Sequence, residues 1–154
     1  MQRKSMDFSR QASMIGGASL IAATLLFSGP MWKVAVDAQS MLAEHYGVGA
    51  ELWSATSYQQ LRMDAIAVER WNLLHPGETP RVSWVEQCLA GRPGPVVAST
   101  DYMRQFAEQI RAHVPGAYRV LGTDGFGRSD YRKKLRHFFE VDRHWVTLAA
   151  LESL

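Results

Sequence analysis

One stretch near the N-terminus limits the possible folds more than any other. Ile21–Phe27 is an almost wholly apolar run, the turn Ser28-Gly29-Pro30 follows it, and Met31–Tyr46 then places Val34, Ala35, Ala38, Met41, Leu42 and His45 three or four residues apart. That spacing is the period of one helix face. Gly47 and Gly49 end the helix, and Ala50–Ala55 reads as a second short strand. Strand, helix, strand is a βαβ unit, with two parallel strands and a helix crossing one face of their sheet. The same region also has the outline of a signal peptide: a polar, basic start (Arg3, Lys4, Arg10), an apolar, small-residue-rich stretch from Met14 to Phe27, and Val36-Asp37-Ala38 as a cleavage site. The βαβ reading is preferred because removing the first strand would destroy the unit that follows. A membrane span is disfavoured, since the apolar run is short and diluted by Gly and Ser.

The rest of the chain repeats the alternation. Thr56 or Ser57 caps a helix running toward Leu74, and His75–Pro80 is a turn-rich connection. Val82–Leu89 is a short helix, and Gly91–Pro95 is a loop. Val96–Ala98 is short and fully apolar, as in a buried parallel sheet. Ser99, Thr100 or Asp101 caps a helix from Tyr102 to Val114, which Pro115-Gly116 stops. Tyr118–Leu121 is the last clear strand, and Tyr131–Phe139 and Trp145–Leu154 are helical. Strands alternating with helices predict an open α/β sheet covered on both faces.

The chain's 154 residues suit one domain, and its hydrophobic and charged fractions, 47% and 21%, are those of an ordinary globular protein. A net charge of +2 is too small to argue for nucleic acid. The single cysteine, Cys88, cannot form an internal disulfide, so a reducing, cytoplasmic setting is expected. His45, His75, His113, His137 and His144 form no HxxxH or HExxH arrangement, no Cys/His spacing suggests zinc, and there is no GxSxG elbow. The default role of Cys88 is packing on an amphipathic helix.

The segment Thr123-Asp124-Gly125-Phe126-Gly127-Arg128-Ser129-Asp130, after Leu121-Gly122, is the most unusual loop. Its glycines permit backbone angles closed to other residues. Ser129 or Asp130 is placed to cap the next helix, whose open start would also favour an anion. It is neither GxGxxG nor a P-loop, and a tight strand-to-helix turn needs the same residues, so a structural role is preferred. On that reading Gly125 or Gly127 takes a backbone region closed to other residues, Asp124 and Ser129 bond free N–H groups, and Phe126 turns inward or into a subunit contact. Arg132, Lys133, Lys134 and Arg136 form a basic cluster, read as a solvated helix face in preference to an anion site. Glu69-Arg70-Trp71-Asn72 sets two opposite charges beside a tryptophan, which reads as a solvated helix end or as an interface with another domain or subunit.

Several segments together resemble a known family. They are Leu52–Ser57 (LWSATS), Val68–Pro76 (VERWNLLHP), Thr79–Val82 (TPRV), Ala98–Met103 (ASTDYM), Val120–Asp130 (VLGTDGFGRSD) and Leu135–Asp142 (LRHFFEVD). They resemble the C-terminal domain of the homodimeric, bacterial-type pyruvate dehydrogenases, within the transketolase superfamily. The likeness covers about residues 22–154, so a domain over 18–154 is expected after a poorly matching basic segment, 1–17. It implies a three-layer α/β/α sandwich on a five-stranded, mostly parallel sheet whose first strand is antiparallel. It also implies a parent oxidoreductase of pyruvate metabolism that decarboxylates pyruvate on thiamine diphosphate with magnesium. That enzyme passes the acetyl unit to the lipoyl group of dihydrolipoyl acetyltransferase. The family's cofactor and catalytic residues lie in domains upstream, so no catalytic, cofactor or metal residue is carried onto this chain. The implied partners are those thiamine-binding domains and a second copy of the enzyme, with no nucleic acid and no membrane.

The chain departs from the family in four places. Phe27-Ser28-Gly29-Pro30 stands where the family has a glycine-serine-glycine turn, and Arg62-Met63-Asp64-Ala65 where it has Ala-Arg-Asp-Gly. Residues 1–20 match poorly, and the family's further C-terminal tail is missing. A domain fragment, a degenerate copy and a partial reading frame all fit this pattern. The expected role is a domain supporting subunit contacts and inert alone. The alternatives are a free-standing interaction module and, less favoured, a small enzyme using Asp124, Ser129 and Asp130.

Overall fold

The structure is a computed structural model that describes residues 20–154. Strand β1 (Ile21–Phe27) leads through a 3-10 turn (Gly29–Met31) into helix α1 (Trp32–Tyr46) and then β2 (Gly49–Ser54). Gly47, at φ 65°, closes α1 with a left-handed cap, and the Val48 N–H reaches back to the Leu42 carbonyl. Helix α2 (Tyr58–Leu74) is capped by Ser57, which accepts the Gln60 N–H. A capping box joins Ser83 and Glu86 at the start of α3 (Trp84–Leu89). Strand β3 (Val96–Ser99), helix α4 (Arg104–Glu108), strand β4 (Tyr118–Leu121) and helices α5 (Arg132–Phe138) and α6 (Arg143–Ser153) complete the order.

The strands form one parallel sheet in the order β2-β1-β3-β4. Strand β1 lies inside it, with Leu25 opposite Leu52 on one side and Val97 on the other. Strand side chains alternate between faces, so each face has its own core. Ala23, Leu25, Val97 and Leu121 pack with Val34, Ala38 and Leu42 of α1 and with Val146 and Ala150 of α6. Leu26, Val96, Ala98 and Val120 pack on the other face with Tyr58, Val85, Leu89, Ala107 and Ile110. This is the α/β/α sandwich.

Two expectations are corrected. The sheet has four strands among the described residues, not five. The extra antiparallel strand was expected within the first 20 residues, of which 1–19 lie outside the described part. The helix expected over Tyr102–Val114 is broken into α4 and a 3-10 turn at Arg111–His113. Tyr118 explains the break, because its buried hydroxyl donates to the Ala107 carbonyl at 2.9 Å and competes with the next helical N–H. The Arg111 guanidinium adds a tie to the Tyr118 carbonyl at 2.7 Å.

Three substitutions test this packing. A Cβ on Gly94 would lie 1.7 Å from the Ala22 carbonyl oxygen, at a φ of +75°. Gly94→Ala should therefore cost about 3 kcal/mol or more. Gly91→Ala, at a φ of +70° but facing open space, should cost only about 1–2 kcal/mol. Equal losses in chemical denaturation would contradict the close contact with β1. Leu25→Asp should prevent folding or lower the melting temperature steeply, since Leu25 is 1% exposed and the carboxylate would have no partner there.

Candidate functional site

Phe27, Ser99 and Leu121 end their strands in register across the sheet. The loops after β1, β3 and β4 therefore leave the same edge at the same level. The order β2-β1-β3-β4 also makes the gap between β1 and β3 the point where the connections diverge, the usual ligand crevice of open α/β sheets.

In this chain its own side chains fill that crevice. Ser28 Oγ donates to Thr100 Oγ1 at 2.9 Å, and Thr100 Oγ1 accepts the Tyr102 N–H. The Arg136 guanidinium reaches back from α5 and grips Asp101 with two bonds, Nη2 to Oδ2 at 2.7 Å and Nε to Oδ1 at 3.1 Å. The same Nη2 lies 3.4 Å from the Pro30 carbonyl oxygen. The Arg136 side chain is only 14% exposed, so the pair is shielded from competing water. One ion pair thus ties together the loops after β1 and β3 and the helix after β4. The basic cluster accordingly divides: Arg136 is a fastener, and Arg132, Lys133 and Lys134 are exposed.

The loop Thr123–Asp130 is fixed by its own polar atoms at its start. Thr123 donates from Oγ1 to the Asp101 carbonyl at 2.6 Å and from its N–H to the Tyr102 carbonyl at 2.9 Å. Asp124 Oδ1 accepts the Arg104 N–H at 3.0 Å, so it caps α4 from across the edge. The glycine this docking demands is Gly122, because a Cβ there would lie 2.7 Å from Arg104 N and 2.8 Å from the Tyr102 oxygen. Gly125 has the expected positive φ, +97°. Gly127 has neither a positive φ nor a near neighbour, so the strain expected there is absent.

Asp130 accepts the adjacent Tyr131 N–H at 2.8 Å, and neither it nor Ser129 caps α5. The loop therefore bonds its own backbone just ahead of α5, and the first N–H groups of α5 take no side-chain cap. Phe126 does not turn inward. It is 97% exposed. Arg128 lies over the Phe138 ring, 4.1 Å from its centroid. Trp32, Tyr102, Met103, Phe106 and Tyr131 are also exposed on the segments that follow β1, β3 and β4. The sequence signal for this surface was present but unused: each of these side chains follows the carboxyl end of a strand.

Glu69, Arg70, Trp71 and Asn72 lie away from this edge, in the last turns of α2. Trp71 is held between the His75 ring, stacked at 4.3 Å, and the Arg81 guanidinium at 3.8 Å. The Asn72 amide exchanges two hydrogen bonds with the Arg81 backbone, and Glu69 lies 3.5 Å from His113. The Trp71 and Asn72 contacts brace the irregular connection between α2 and α3, and the Glu69 contact reaches the 3-10 turn before β4. Cys88 is half-buried, and burial, offset in part by Arg92, pushes its thiol up, away from a nucleophile's range.

The structure is a parallel α/β/α sandwich whose carboxyl-edge loops are joined by their own side chains, and the chain belongs to the transketolase-like C-terminal domain family, which matches residues 16–142. Individual relatives are more specific: the chain is 62% identical over 131 residues to the pyruvate dehydrogenase E1 component of Pseudomonas aeruginosa, covering 84% of this chain and 15% of that one. It is 58% identical to that of Cupriavidus necator and 53% to that of Escherichia coli, each covering 84% of this chain and 14% of the relative. The chain thus spans about one-seventh of the length of these relatives. Among solved structures it superposes on a split-gene transketolase described as an inactive β4 tetramer, with a TM-score of 0.58 at 18% identity, covering 86% of this chain and 39% of that one.

Gly122→Ala should destabilise the chain by about 2–4 kcal/mol and Gly127→Ala by less than about 0.5 kcal/mol. The reverse order of melting temperatures would contradict the docking of the loop on α4. A second expectation concerns acid. Asp142 caps α6 by accepting the His144 and Trp145 N–H groups and pairs with His137 at 2.8 Å. Burial alone would raise its carboxyl, but the His137 bond and the two N–H groups outweigh burial and hold it below the ordinary aspartate range. Its contribution is therefore fully present above the unfolded aspartate value of about 3.9 and is lost as pH falls through the lower folded value. Asp142→Asn should lower stability at pH 7 and flatten the acid limb of a melting-temperature profile; an unchanged acid limb would refute this role.

Proposed function

We propose that this chain serves as the C-terminal domain of a pyruvate dehydrogenase E1-type enzyme, holding domains and subunits in place and carrying no chemistry of its own. The single observation that supports this most is the combination of family membership with an edge whose crevice is filled by the Asp101–Arg136 pair. In the parent enzyme, thiamine diphosphate and magnesium would supply the decarboxylation of pyruvate. The residues gathered here do not fit that group. Asp101 is committed to Arg136 and Asp124 to the start of α4. Among the described residues no three His, Cys, Asp or Glu side chains are grouped to hold a metal ion. The other carboxylate offered by the loop, Asp130, faces its own backbone and Lys134.

What the chain's own residues do on this reading is mechanical. Arg136, Asp101 and Thr123 fix the loops, and the fixed loops present a rigid surface to the rest of the enzyme. The reading also sets expectations for location and partners: a cytoplasmic enzyme, a second copy, and a lipoyl-bearing acetyltransferase that meets the parent enzyme. Among the described residues no helix is long and apolar enough to cross a membrane.

The test is a transplant. The 131-residue stretch of this chain that matches the Pseudomonas aeruginosa relative replaces its counterpart there. The chimera should decarboxylate pyruvate at a rate within about tenfold of that relative, and the 154-residue chain alone should neither bind thiamine diphosphate with magnesium in calorimetry nor turn over pyruvate. A folded but inactive chimera, or a stoichiometric cofactor site on the chain alone, would overturn the proposal.

A further inference from the structure

The described residues leave two apolar surfaces uncovered. One lies on α2 and α3, where Met63, Ile66, Leu73 and Trp84 are exposed. The other is the carboxyl edge, where Trp32, Tyr102, Phe126, Tyr131 and Phe138 are between 51% and 97% exposed. Exposed aromatic side chains gathered in one region mark a binding surface, since a solvated surface gains nothing from them.

Three properties mark the carboxyl edge, and the last of them, positive charge, is the one the α2–α3 surface lacks, since Arg62, Arg70 and Arg81 stand there among Asp64, Glu69, Glu78 and Glu86. The edge is rigid, because Ser28–Thr100, Arg136–Asp101 and Asp124–Arg104 join every loop that contributes to it. It is aromatic and arginine-rich, the composition that distinguishes protein interfaces from ordinary surface. It is also positively charged. Residues 126–138 hold Arg128, Arg132, Lys133, Lys134 and Arg136 against Asp130 alone. Asp101 neutralises Arg136, and Lys134 lies 4.0 Å from Asp130. Arg128, Arg132 and Lys133 have no carboxylate within 4.0 Å among the described residues. That leaves three cations free within thirteen residues, in a chain whose total net charge is only +2.

We infer that this aromatic and basic edge is the surface that docks the remainder of an E1-type polypeptide, through a partner face that offers carboxylates to Arg128, Arg132 and Lys133 around recesses for Phe126 and Tyr131. The inference rests on the function proposed above. The occupant is chosen on two grounds. The relatives are about seven times longer than the matched stretch, so this domain has a large body of polypeptide to meet. The free cations call for an acidic complement, which a second copy of the same edge would not provide. Phe126 then acts as the anchor. It projects from a loop whose base is fixed by Thr123 and Asp124, so its position over the edge is set before it is buried.

Hydroxyl-radical footprinting compares the free 154-residue chain with the active chimera. Phe126, Tyr131 and Trp32 should be labelled about tenfold more slowly in the chimera than in the free chain, with Trp84 labelled equally in both. Arg132→Glu with Lys133→Glu, both at exposed positions, should leave the free chain's melting temperature unchanged. In the chimera the pair should restore labelling of Phe126 and Tyr131. Continued labelling of these residues in an active chimera, or protection of Trp84 instead, would overturn the docking surface while leaving the proposed function intact. An inactive chimera would overturn the function itself. Protection of Phe126 in the free chain, with a dimeric mass in solution, would make a second copy the occupant and refute the acidic partner.

Discussion

The position of β1 inside the sheet governs everything else in the molecule. A parallel strand with neighbours on both sides must send its chain out at the carboxyl edge beside the loop of the strand next to it, and here that neighbour is β3. The two connections then run to opposite faces, α1 to one and α4 to the other. In most sheets of this kind the gap between them receives a ligand. Here Ser28 and Thr100 bond across it, and Arg136 arrives from a third connection to hold Asp101 and approach the Pro30 carbonyl. The place where chemistry is usually built has become a fastening.

This closure accounts for both the quiet interior and the conspicuous exterior of the edge. Polar atoms that can bind a substrate are used to join loops, and the aromatic side chains those loops carry are directed outward. The proline of the Phe27–Pro30 turn fits the same pattern. Pro30 sits in the 3-10 turn that opens α1, where its missing N–H costs nothing, and its carbonyl faces Arg136.

Much of the fold was legible in the residues. The βαβ unit of Ile21–Ser54 follows from periodicity and two glycines, and the buried β3 from Val96-Val97-Ala98 between Pro95 and Ser99. What escaped depends on contacts between distant segments. The break after Glu108 goes with the Tyr118 hydroxyl, which bonds the Ala107 carbonyl eleven residues before it, and local helix propensity carries no trace of it. Gly122 and Gly94 look like ordinary turn glycines until Arg104 and Ala22 are placed against them, whereas Gly127, conspicuous in the sequence, meets nothing. The site was read less well than the fold for the same reason. Asp124 bonds a free N–H as expected, but that N–H belongs to Arg104 at the start of α4, twenty residues upstream, which no local pattern signals. Arg136 was grouped with a solvated basic face because its partner Asp101 is thirty-five residues away.

The measurement that bears most directly on a closed, fastened edge is a double-mutant cycle on Asp101 and Arg136. Asp101→Asn, Arg136→Met and the double variant would be unfolded in urea alongside the parent chain. A pair that joins three loops and is largely shielded from water should show a coupling energy of about 1–3 kcal/mol. The double variant should then be less destabilised than the sum of the single changes. Additive losses agreeing within about 0.5 kcal/mol would mean that the two side chains act independently. In that event the edge is not held shut by this pair, and the crevice between β1 and β3 would again be open to a ligand.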